Sequence, residues 1–275
     1  MKKLTADKLF DTKDFELIRS VGDNRIYFRS LYESISLDTK IYRYMRLSHM
    51  LSMLYWLQLY VSNRTEFTDI KDWSGEEKWI PQPNMLFRPE LVPSYHDRRF
   101  ARESEKVKEV TMKLCISCWT LDELGNGLVD ENFLMWGAYK SGDLMCRVGT
   151  TIGNLIHNIQ PPCDVLVSDV SYDANRSGSF ADRLTFNKSI CYSGEKEIRA
   201  AFLSTSSHLE VKIADMDDFI ESITLSPFLH PNKEWKAMDM LKKCFPKYES
   251  KFQRSKLMEY NRLNDNKIAK PNPKK

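Results

Sequence analysis

Long hydrophobic runs are missing from this sequence, and so is a strong net charge. The longest apolar stretch is Leu51–Val61, far shorter than the roughly 20 residues that a membrane-spanning helix needs. Met1 and the two lysines after it are followed by a mixed, charged stretch rather than by the apolar run of a secretory signal. The formal charge of +3 gives no electrostatic reason to expect duplex DNA or an anionic membrane as a partner. We therefore predict a soluble cytoplasmic protein with no membrane partner.

Closely spaced cysteines are also scarce. Among the six cysteines, Cys115 and Cys118 form the only close pair, and no second pair or nearby histidine completes a zinc site. Residues 114–120 read as a β-strand, which would send the two thiols to opposite faces. Without a secretion signal a disulfide framework is not expected either. We predict buried thiols and no metal.

A glycine-rich phosphate loop and a strict alternation of strands and helices are absent as well. Short strand-like runs such as Ile41–Met45, Leu114–Thr120 and Leu209–Ile213 recur along the chain. Helical patterns such as Leu47–Trp56 are interspersed irregularly among them. This arrangement favours an α+β fold with largely antiparallel sheets over a doubly wound fold.

The composition divides the chain into three parts. We predict an N-terminal helical extension over residues 1–40, with a first short helix at 14–20. Residues 41–257 are predicted to form a single α+β core domain. Within it, residues 63–93 carry four prolines and two tryptophans and should form a surface loop. The tail at 258–275 is rich in asparagine, lysine and proline, which is typical of disorder.

The chemically most informative stretch contains Glu195, Glu197 and Arg199. If residues 195–202 form a strand, the period of two places these three side chains on one face. Two carboxylates and a guanidinium side by side can hold a sugar hydroxyl or a developing positive charge, but they fit a solvated edge strand equally well. A second Glu-x-Glu at residues 103–105 lies in a predicted charged helix, most simply on its solvated face.

An arginine lies in the middle of the first predicted strand of the core. Alternation places Arg43 on the same face as the apolar Ile41 and Met45, with Tyr44 on the other face. Because an unpaired buried charge is costly, Arg43 should have an anionic partner, either a protein carboxylate or a bound phosphate. Alternatively, Arg43 lies near the strand end and its head group reaches water.

Several aromatic residues accompany these charged groups. Ser117 and Trp119 share one face of the predicted strand at 114–120, and Trp136 and Tyr139 lie at helical spacing in a short predicted helix. Such a stripe belongs more often to a hydrophobic core than to a cofactor site.

Short motifs in a fixed order resemble a bacterial family catalogued as domain of unknown function 2971. The resemblance covers roughly residues 41–257, and the family name itself implies no activity. The motifs that carry it are Tyr42-Arg43-Tyr44, Leu59-Tyr60-Val61-Ser62, Ser117-Cys118-Trp119, Met135-Trp136 with Tyr139, Glu195-x-Glu197-x-Arg199 and Ser226-Pro227.

A more distant resemblance implies an activity. The order of Arg43 on a first strand, Ser117 on a middle strand and a late Glu-x-Glu is similar to the signature of ADP-ribosyltransferases. That resemblance implies a split β-sandwich and NAD as the substrate. Arg43 would hold the phosphates or a ribose of NAD. Ser117 would bind the nicotinamide ribose and position Glu197.

The same resemblance assigns the remaining roles. Glu197 would bind the ribose 2′-hydroxyl and stabilise the oxocarbenium-like transition state as nicotinamide leaves. Glu195 would orient or deprotonate the acceptor, which would be a protein, a nucleic acid or, in a glycohydrolase, water. Aromatic faces would stack on the nicotinamide. The predicted nucleotide-binding residues besides Arg43 are Tyr44, Trp119, Trp136, Tyr139 and Arg199.

Two other classes of function remain open from the residues. A non-catalytic ligand-binding or protein-interaction module would use the tryptophans of the 63–93 loop as a contact surface. A different hydrolase, such as a nuclease or another glycosidase, would use the late Glu-x-Glu pair. A nuclease would normally need a divalent metal, and Asp164, Asp169 and Asp173 are the other nearby acids.

Overall fold

A mixed β-sheet connected by short helices runs through the protein. The computed structural model describes residues 4–66, 98–121, 131–139, 144–173, 176 and 178–257, with side chains from residue 105 onward in the helix that begins at residue 98. The strands are β1 Glu16–Val21, β2 Asn24–Arg29, β3 Lys40–Arg46, β4 Gln58–Asn63, β5 Leu114–Thr120, β6 Met145–Thr151, β7 Ile159–Gln160, β8 Val165–Asp169, β9 Glu197–Leu203, β10 His208–Ile213, β11 Ser222–Leu225 and β12 Phe252–Gln253. The α-helices are α1 Ala6–Leu9, α2 Leu47–Trp56, α3 Arg98–Thr111, α4 Phe133–Ala138, α5 Ile152–Asn158, α6 Phe180–Phe186, α7 Met216–Phe219 and α8 Pro231–Cys244.

The strands pair in the order β1-β2-β8-β9-β5-β3-β6-β11-β12. Strands β4, β7 and β10 form a branch, in which β10 pairs with β4 and β7 and β4 pairs with β5. The described strand pairs are antiparallel except for β2–β8 and β11–β12, which are parallel. The fold is therefore α+β with a largely antiparallel sheet, as the sequence predicts.

The sheet opens between β3 and β5. These two strands pair at a single position, Tyr42 with Thr120. Beyond it, β3 continues alongside β6, while β4 takes the neighbouring place on the first half of β5 and pairs there at Ser62–Ile116. Neighbouring strands of a continuous sheet lie about 4.8 Å apart. Where β3 and β5 stop pairing, a gap opens between them. This gap leads into the cleft described below.

The two faces of the sheet carry separate hydrophobic cores. In β9, Ile198 and Ala200 belong to the larger core, whereas Ala201 belongs to the smaller one. We refer to these as the main-core face and the small-core face. Since side chains alternate along a strand, Glu197 and Arg199 lie on the small-core face with Ala201.

The prediction of a helical extension at residues 1–40 is wrong. β1 and β2 form an antiparallel hairpin, and β2 also pairs in parallel with β8, so this region extends the sheet. The segment 14–20, predicted as a helix, lies largely in β1. The turn between the strands begins at Gly22, whose φ of +59° is one that glycine adopts readily. The Gly22-Asp23 pair was the available hairpin signal, but the partner strand β8 lies too far along the chain for local patterning to reveal.

Most other predicted elements are confirmed. α2 and β5 have the predicted bounds, and Thr151 caps α5 by accepting a hydrogen bond from the Asn154 amide. On α8, Trp235 is 59% exposed, whereas Met238 and Leu241 of the same helix are buried. An amphipathic helix tolerates a large apolar residue at the border of its buried stripe.

Two predicted segments lie wholly or mainly outside the described residues. The tail at 258–275 lies wholly outside them. The predicted surface loop at 63–93 lies outside them from residue 67 onward. Within the described ranges, no helix has both the length and the hydrophobicity required to cross a bilayer.

Buried aspartates attach the N-terminal residues to the sheet. Asp164 accepts hydrogen bonds from the backbone amides of Ala6 at 3.0 Å and Arg25 at 2.9 Å. Asp169 accepts from the Leu31 amide through both carboxylate oxygens, at 2.9 and 3.0 Å. These two carboxylates, considered above as ligands of a nuclease metal, therefore bind backbone amides.

We expect Asp164→Ala to lower the free energy of unfolding by about 2–4 kcal/mol, because one buried and one partly buried amide lose a charged acceptor. Urea unfolding followed by circular dichroism measures this change. Asp38→Ala is the matched control, since Asp38 is exposed, and its effect should stay within about 0.5 kcal/mol. Equal stability of the two variants would contradict the structural role of Asp164.

Candidate functional site

A cleft of about 700 Å³ opens where β3 and β5 separate. This volume falls within the range of about 300–1,000 Å³ that is usual for small-molecule sites. Among the site residues predicted from the sequence, those that line it are Arg43, Tyr44, Trp119, Tyr139, Glu195, Glu197 and Arg199. The two that do not belong to its lining are Ser117 and Trp136, which lie behind it in contact with lining residues.

Glu195 and Glu197 reach the cleft by different routes, and the prediction of one continuous strand through both is wrong. Glu195 is the last residue of a 3-10 helix, Ile190–Glu195, and β9 begins at Glu197. Between them Lys196 adopts a left-handed conformation with φ of +44°. This backbone reversal turns the chain before the strand starts, so the two carboxylates approach the site from a turn and from a strand.

A buried ion cluster joins these carboxylates to two cations. The guanidinium of Arg199 donates to both oxygens of Glu197, from Nε to Oε1 and from Nη2 to Oε2, at 2.9 Å each. The Lys188 ammonium lies 2.7 Å from Oε2 of Glu195 and 3.5 Å from Oε2 of Glu197. Arg199 also donates to the Thr185 carbonyl at 2.7 Å. The side chains of Lys188, Glu197 and Arg199 are at most 5% exposed, which excludes a solvated edge strand.

The cluster lies on an interior strand, because β9 is flanked by β5 and β8. Burying one ion costs several kcal/mol, and only close opposite charges with satisfied hydrogen bonds compensate for it. Glu197 and its two cations meet that requirement, so part of their role is structural.

The charge of Arg43 differs from those of the ion cluster, because the hydrogen-bond partners of its guanidinium are neutral. Its Nη1 donates to the Tyr60 carbonyl and to the Ser117 hydroxyl, at 3.1 Å each, and neither partner carries a charge. Burial lowers the pKa of the Arg43 guanidinium below its ordinary value. The side chain is partly accessible through the cleft that it lines. The sequence predicts either an anionic partner for this arginine or a head group that reaches water, and the partners found are a carbonyl and a hydroxyl. An anion bound in the cleft would supply the missing negative charge.

Ser117 supports Arg43 and not Glu197, which corrects the role predicted for it. Ser117 lies opposite Ala200 in the β5–β9 ladder and therefore on the main-core face, whereas Glu197 lies on the other face. It is fully buried and accepts hydrogen bonds from Arg43 and from the Trp119 indole nitrogen at 3.0 Å. Its hydroxyl is thus positioned to fix the arginine head group.

The predicted aromatic residues differ in accessibility. Trp119 and Trp136 are 2% and 1% exposed, and the Trp136 indole nitrogen donates to buried Glu131 at 3.0 Å. These indoles belong to the core, although Trp119 borders the cleft. Tyr139 is 45% exposed and stacks on Tyr44 with ring centroids 6.3 Å apart. Tyr139 is therefore the aromatic ring that a ligand can reach directly.

Tyr139 lines the same cleft as the ion cluster, and its hydroxyl lies within electrostatic range of it. Loss of contact with water, together with the Cys118 thiol and the Glu197 and Glu195 carboxylates, raises its pKa above the ordinary value. It therefore remains a neutral phenol at physiological pH, able to donate a hydrogen bond.

Sequence reasoning missed Lys188 and Asn132. The Asn132 side chain caps α4, its amide nitrogen donates to the Gly194 carbonyl at 3.1 Å, and its backbone amide donates to the Tyr44 hydroxyl at 3.2 Å. It thereby ties α4, β3 and the 3-10 helix together around the cleft. An asparagine before a helical run signals such a cap, but its long-range contacts leave no sequence pattern.

The rival candidates fall outside the cleft lining or resemble ordinary core residues. Glu105 is exposed on α3, as expected for a solvated face. Cys115 packs in the larger core and Cys118 against the smaller one, so the two thiols do lie on opposite faces. Burial raises the pKa of the Cys115 thiol to about 11, which keeps it protonated.

Comparison with known proteins yields no match, either to a protein-family model or to a curated protein. The interpretation of this site therefore depends on its own geometry.

We expect Glu197→Gln to lower the free energy of unfolding by about 3–5 kcal/mol, because Arg199 and Lys188 would lose a buried negative charge. Urea unfolding measures the loss, and a Glu197→Gln/Arg199→Met double variant should recover part of it. The control is Glu210→Gln on β10, where the carboxylate is exposed. If Glu197→Gln proved as stable as the control, the ion cluster would have no structural role.

Proposed function

We propose that the protein binds NAD in this cleft and breaks the bond between its ribose and nicotinamide. It would act as an ADP-ribosyltransferase, with a protein or nucleic-acid acceptor, or as an NAD glycohydrolase. The same proposal includes membership of the bacterial domain of unknown function 2971 family. The observation that carries it is the charge of Arg43, whose hydrogen-bond partners are neutral and whose side chain lines a cleft of suitable volume.

The arginine favours a phosphate-containing ligand. A guanidinium presents several donors in a planar fork that fits phosphate oxygens. Two hydrogen bonds to neutral oxygens offset only part of the cost of removing this cation from water. A ligand phosphate would offset the remaining cost of burying the Arg43 charge. That offset would contribute to the affinity for the ligand.

The carboxylates across the cleft favour a sugar with a developing positive charge. When the glycosidic bond breaks, its electron pair leaves with the nicotinamide nitrogen, and the anomeric carbon becomes electron-poor. Glu197, fixed by Arg199 and Lys188, would stabilise that charge and accept a hydrogen bond from a ribose hydroxyl. The acceptor then forms the new bond to the anomeric carbon and loses its proton to Glu195, which is the more accessible carboxylate.

The exposed ring of Tyr139 supports the placement of the nicotinamide. It lies beside the carboxylate pair, and the face of a tyrosine attracts a flat cation. Trp119 and Trp136, which the sequence also nominated, would support Ser117 and Tyr44 from behind rather than stack on the ligand.

One observation favours the alternative of a non-catalytic ligand-binding module. Both oxygens of Glu197 already accept hydrogen bonds from Arg199, and its side chain is 5% exposed. In a pure binding site this cluster would hold the cleft wall and Arg43 would hold the ligand. Such a protein would bind NAD or a related nucleotide without consuming it.

We expect Arg43→Met to weaken NAD binding by about 10–100-fold, because one charge-assisted phosphate contact is lost. Isothermal titration calorimetry measures the affinity. The melting temperature should stay unchanged or rise, since a buried cation is replaced by an apolar side chain of similar length. Arg254→Met, at an exposed arginine outside the cleft lining, is the matched control. Unchanged affinity in Arg43→Met would refute the phosphate site.

We expect the wild-type protein to release nicotinamide from NAD, and Glu197→Gln to reduce that rate at least 100-fold. Chromatography of the reaction mixture measures the product, at a temperature below the lowered melting point of the variant. Glu210→Gln should retain the full rate. NAD binding without nicotinamide release by the wild type would favour the binding module.

A further inference from the structure

The proposed reaction uses Arg43 and the two carboxylates, and so far gives Lys188 only the task of fixing Glu197. Lys188 follows α6 and is 4% exposed. Its ammonium contacts Glu195 at 2.7 Å and Glu197 at 3.5 Å, and it lies 4.4 Å from the centre of the Tyr192 ring. Arg199 contacts Glu197, whereas Lys188 contacts both members of the pair.

We propose that Lys188 is a positioning residue that holds Glu195 and Glu197 together at the cleft as two ionised carboxylates. The inference rests on the proposed function only for the catalytic roles of the two carboxylates. The arrangement of charges itself needs no ligand, and so it can be tested separately.

Two carboxylates that approach one another repel unless a cation lies between them. Without that cation, the pair takes up a proton more readily, and the pKa of one member rises. A shared proton would leave the proposed reaction with one carboxylate where it needs two. Lys188 removes this conflict by contributing a positive charge at the point where the two groups meet.

Among the residues that the structure describes, the other titratable groups near the pair do not take the place of Lys188 between the two carboxylates. Those from β9, β5, the end of α4, the residues after β8 and the 3-10 helix are Arg199, Cys118, Tyr139, Tyr172 and Tyr192. Arg43, Arg46 and His49 line the same cleft from β3 and α2. Burial raises the pKa of Tyr172, and the Tyr139 phenol is shifted in the same direction, so these hydroxyls remain neutral. Arg199 is already engaged with Glu197 and the Thr185 carbonyl.

Backbone hydrogen bonds fix both ends of the segment 188–196, which carries Lys188 and Glu195. The Lys188 amide donates to the Ser171 carbonyl at 2.9 Å, and the Leu121 amide donates to the Lys196 carbonyl at 3.0 Å. The Thr120 hydroxyl donates to the Glu195 carbonyl. Because the chain on either side is fixed, removal of the ammonium should leave the carboxylates close together rather than release them.

The test compares the melting temperature of Lys188→Met and wild type from pH 4 to pH 8, without ligand. Removing Lys188 raises the folded-state pKa of the carboxylate pair above the unfolded value of about 4.3. The destabilisation caused by this repulsion is therefore smallest below the unfolded value and grows as the pH rises from there through the raised pKa. We expect the melting deficit of the variant relative to wild type to be smallest at pH 4 and to grow progressively towards pH 8.

Three further variants make the result specific. Lys188→Met/Glu195→Gln removes one of the repelling charges and should restore a flat difference from wild type across the pH range. Lys188→Arg should return most of the wild-type pH profile. Lys233→Met, at an exposed lysine of α8, should show no pH-dependent loss.

A melting deficit that is constant with pH, and that Glu195→Gln does not remove, would overturn the inference and leave Lys188 as a packing residue. If Lys188→Met does not fold at neutral pH, the double variant decides. A folded double variant supports charge repulsion, and an unfolded one overturns it. Absence of nicotinamide release by the wild type counts against the proposed function alone, because the melting series contains no ligand.

Discussion

The buried ion cluster on β9 is the constraint on which the rest of the site depends. Glu197 and Arg199 lie two residues apart on an interior strand, where neither charge would be tolerated alone. Their mutual contacts, and the Lys188 ammonium beside them, make this strand compatible with a central position in the sheet. The chain before β9 must therefore place Lys188 and Glu195 beside Glu197. The left-handed turn at Lys196 allows this for Glu195.

Charge is distributed unequally across the cleft. On the β9 side, cations and carboxylates compensate one another at hydrogen-bond distance. On the β3 side, Arg43 is held by the neutral Ser117 hydroxyl and Tyr60 carbonyl. The opening of the sheet between β3 and β5 separates these two environments and makes both accessible to one ligand. In the proposed function, a molecule with a phosphate at one end and a sugar at the other would contact both sides.

A carboxylate that stabilises the fold can also serve a reaction. The cations that make Glu197 structurally necessary are the same groups that would hold it ionised and immobile during catalysis. Loss of activity in a Glu197 variant therefore carries information only beside its stability. Arg43 offers the cleaner separation, because its charge costs the folded protein free energy that an anion bound in the cleft would recover.

Local patterning was sufficient for the fold class and for α2 and β5, whereas the resemblance to ADP-ribosyltransferases grouped Arg43, Glu195 and Glu197 as site candidates. Hydrophobic periodicity and residue type act over a few residues, so they are readable in the chain itself. Only the tertiary structure decided which face each side chain occupies relative to distant strands. The hairpin at 16–29 joins the sheet through β8, Ser117 points to Arg43 rather than to Glu197, and Lys188 meets its carboxylates across a turn. These contacts depend on long-range strand pairing and on the cost of burying charge, neither of which leaves a periodic signal in the sequence.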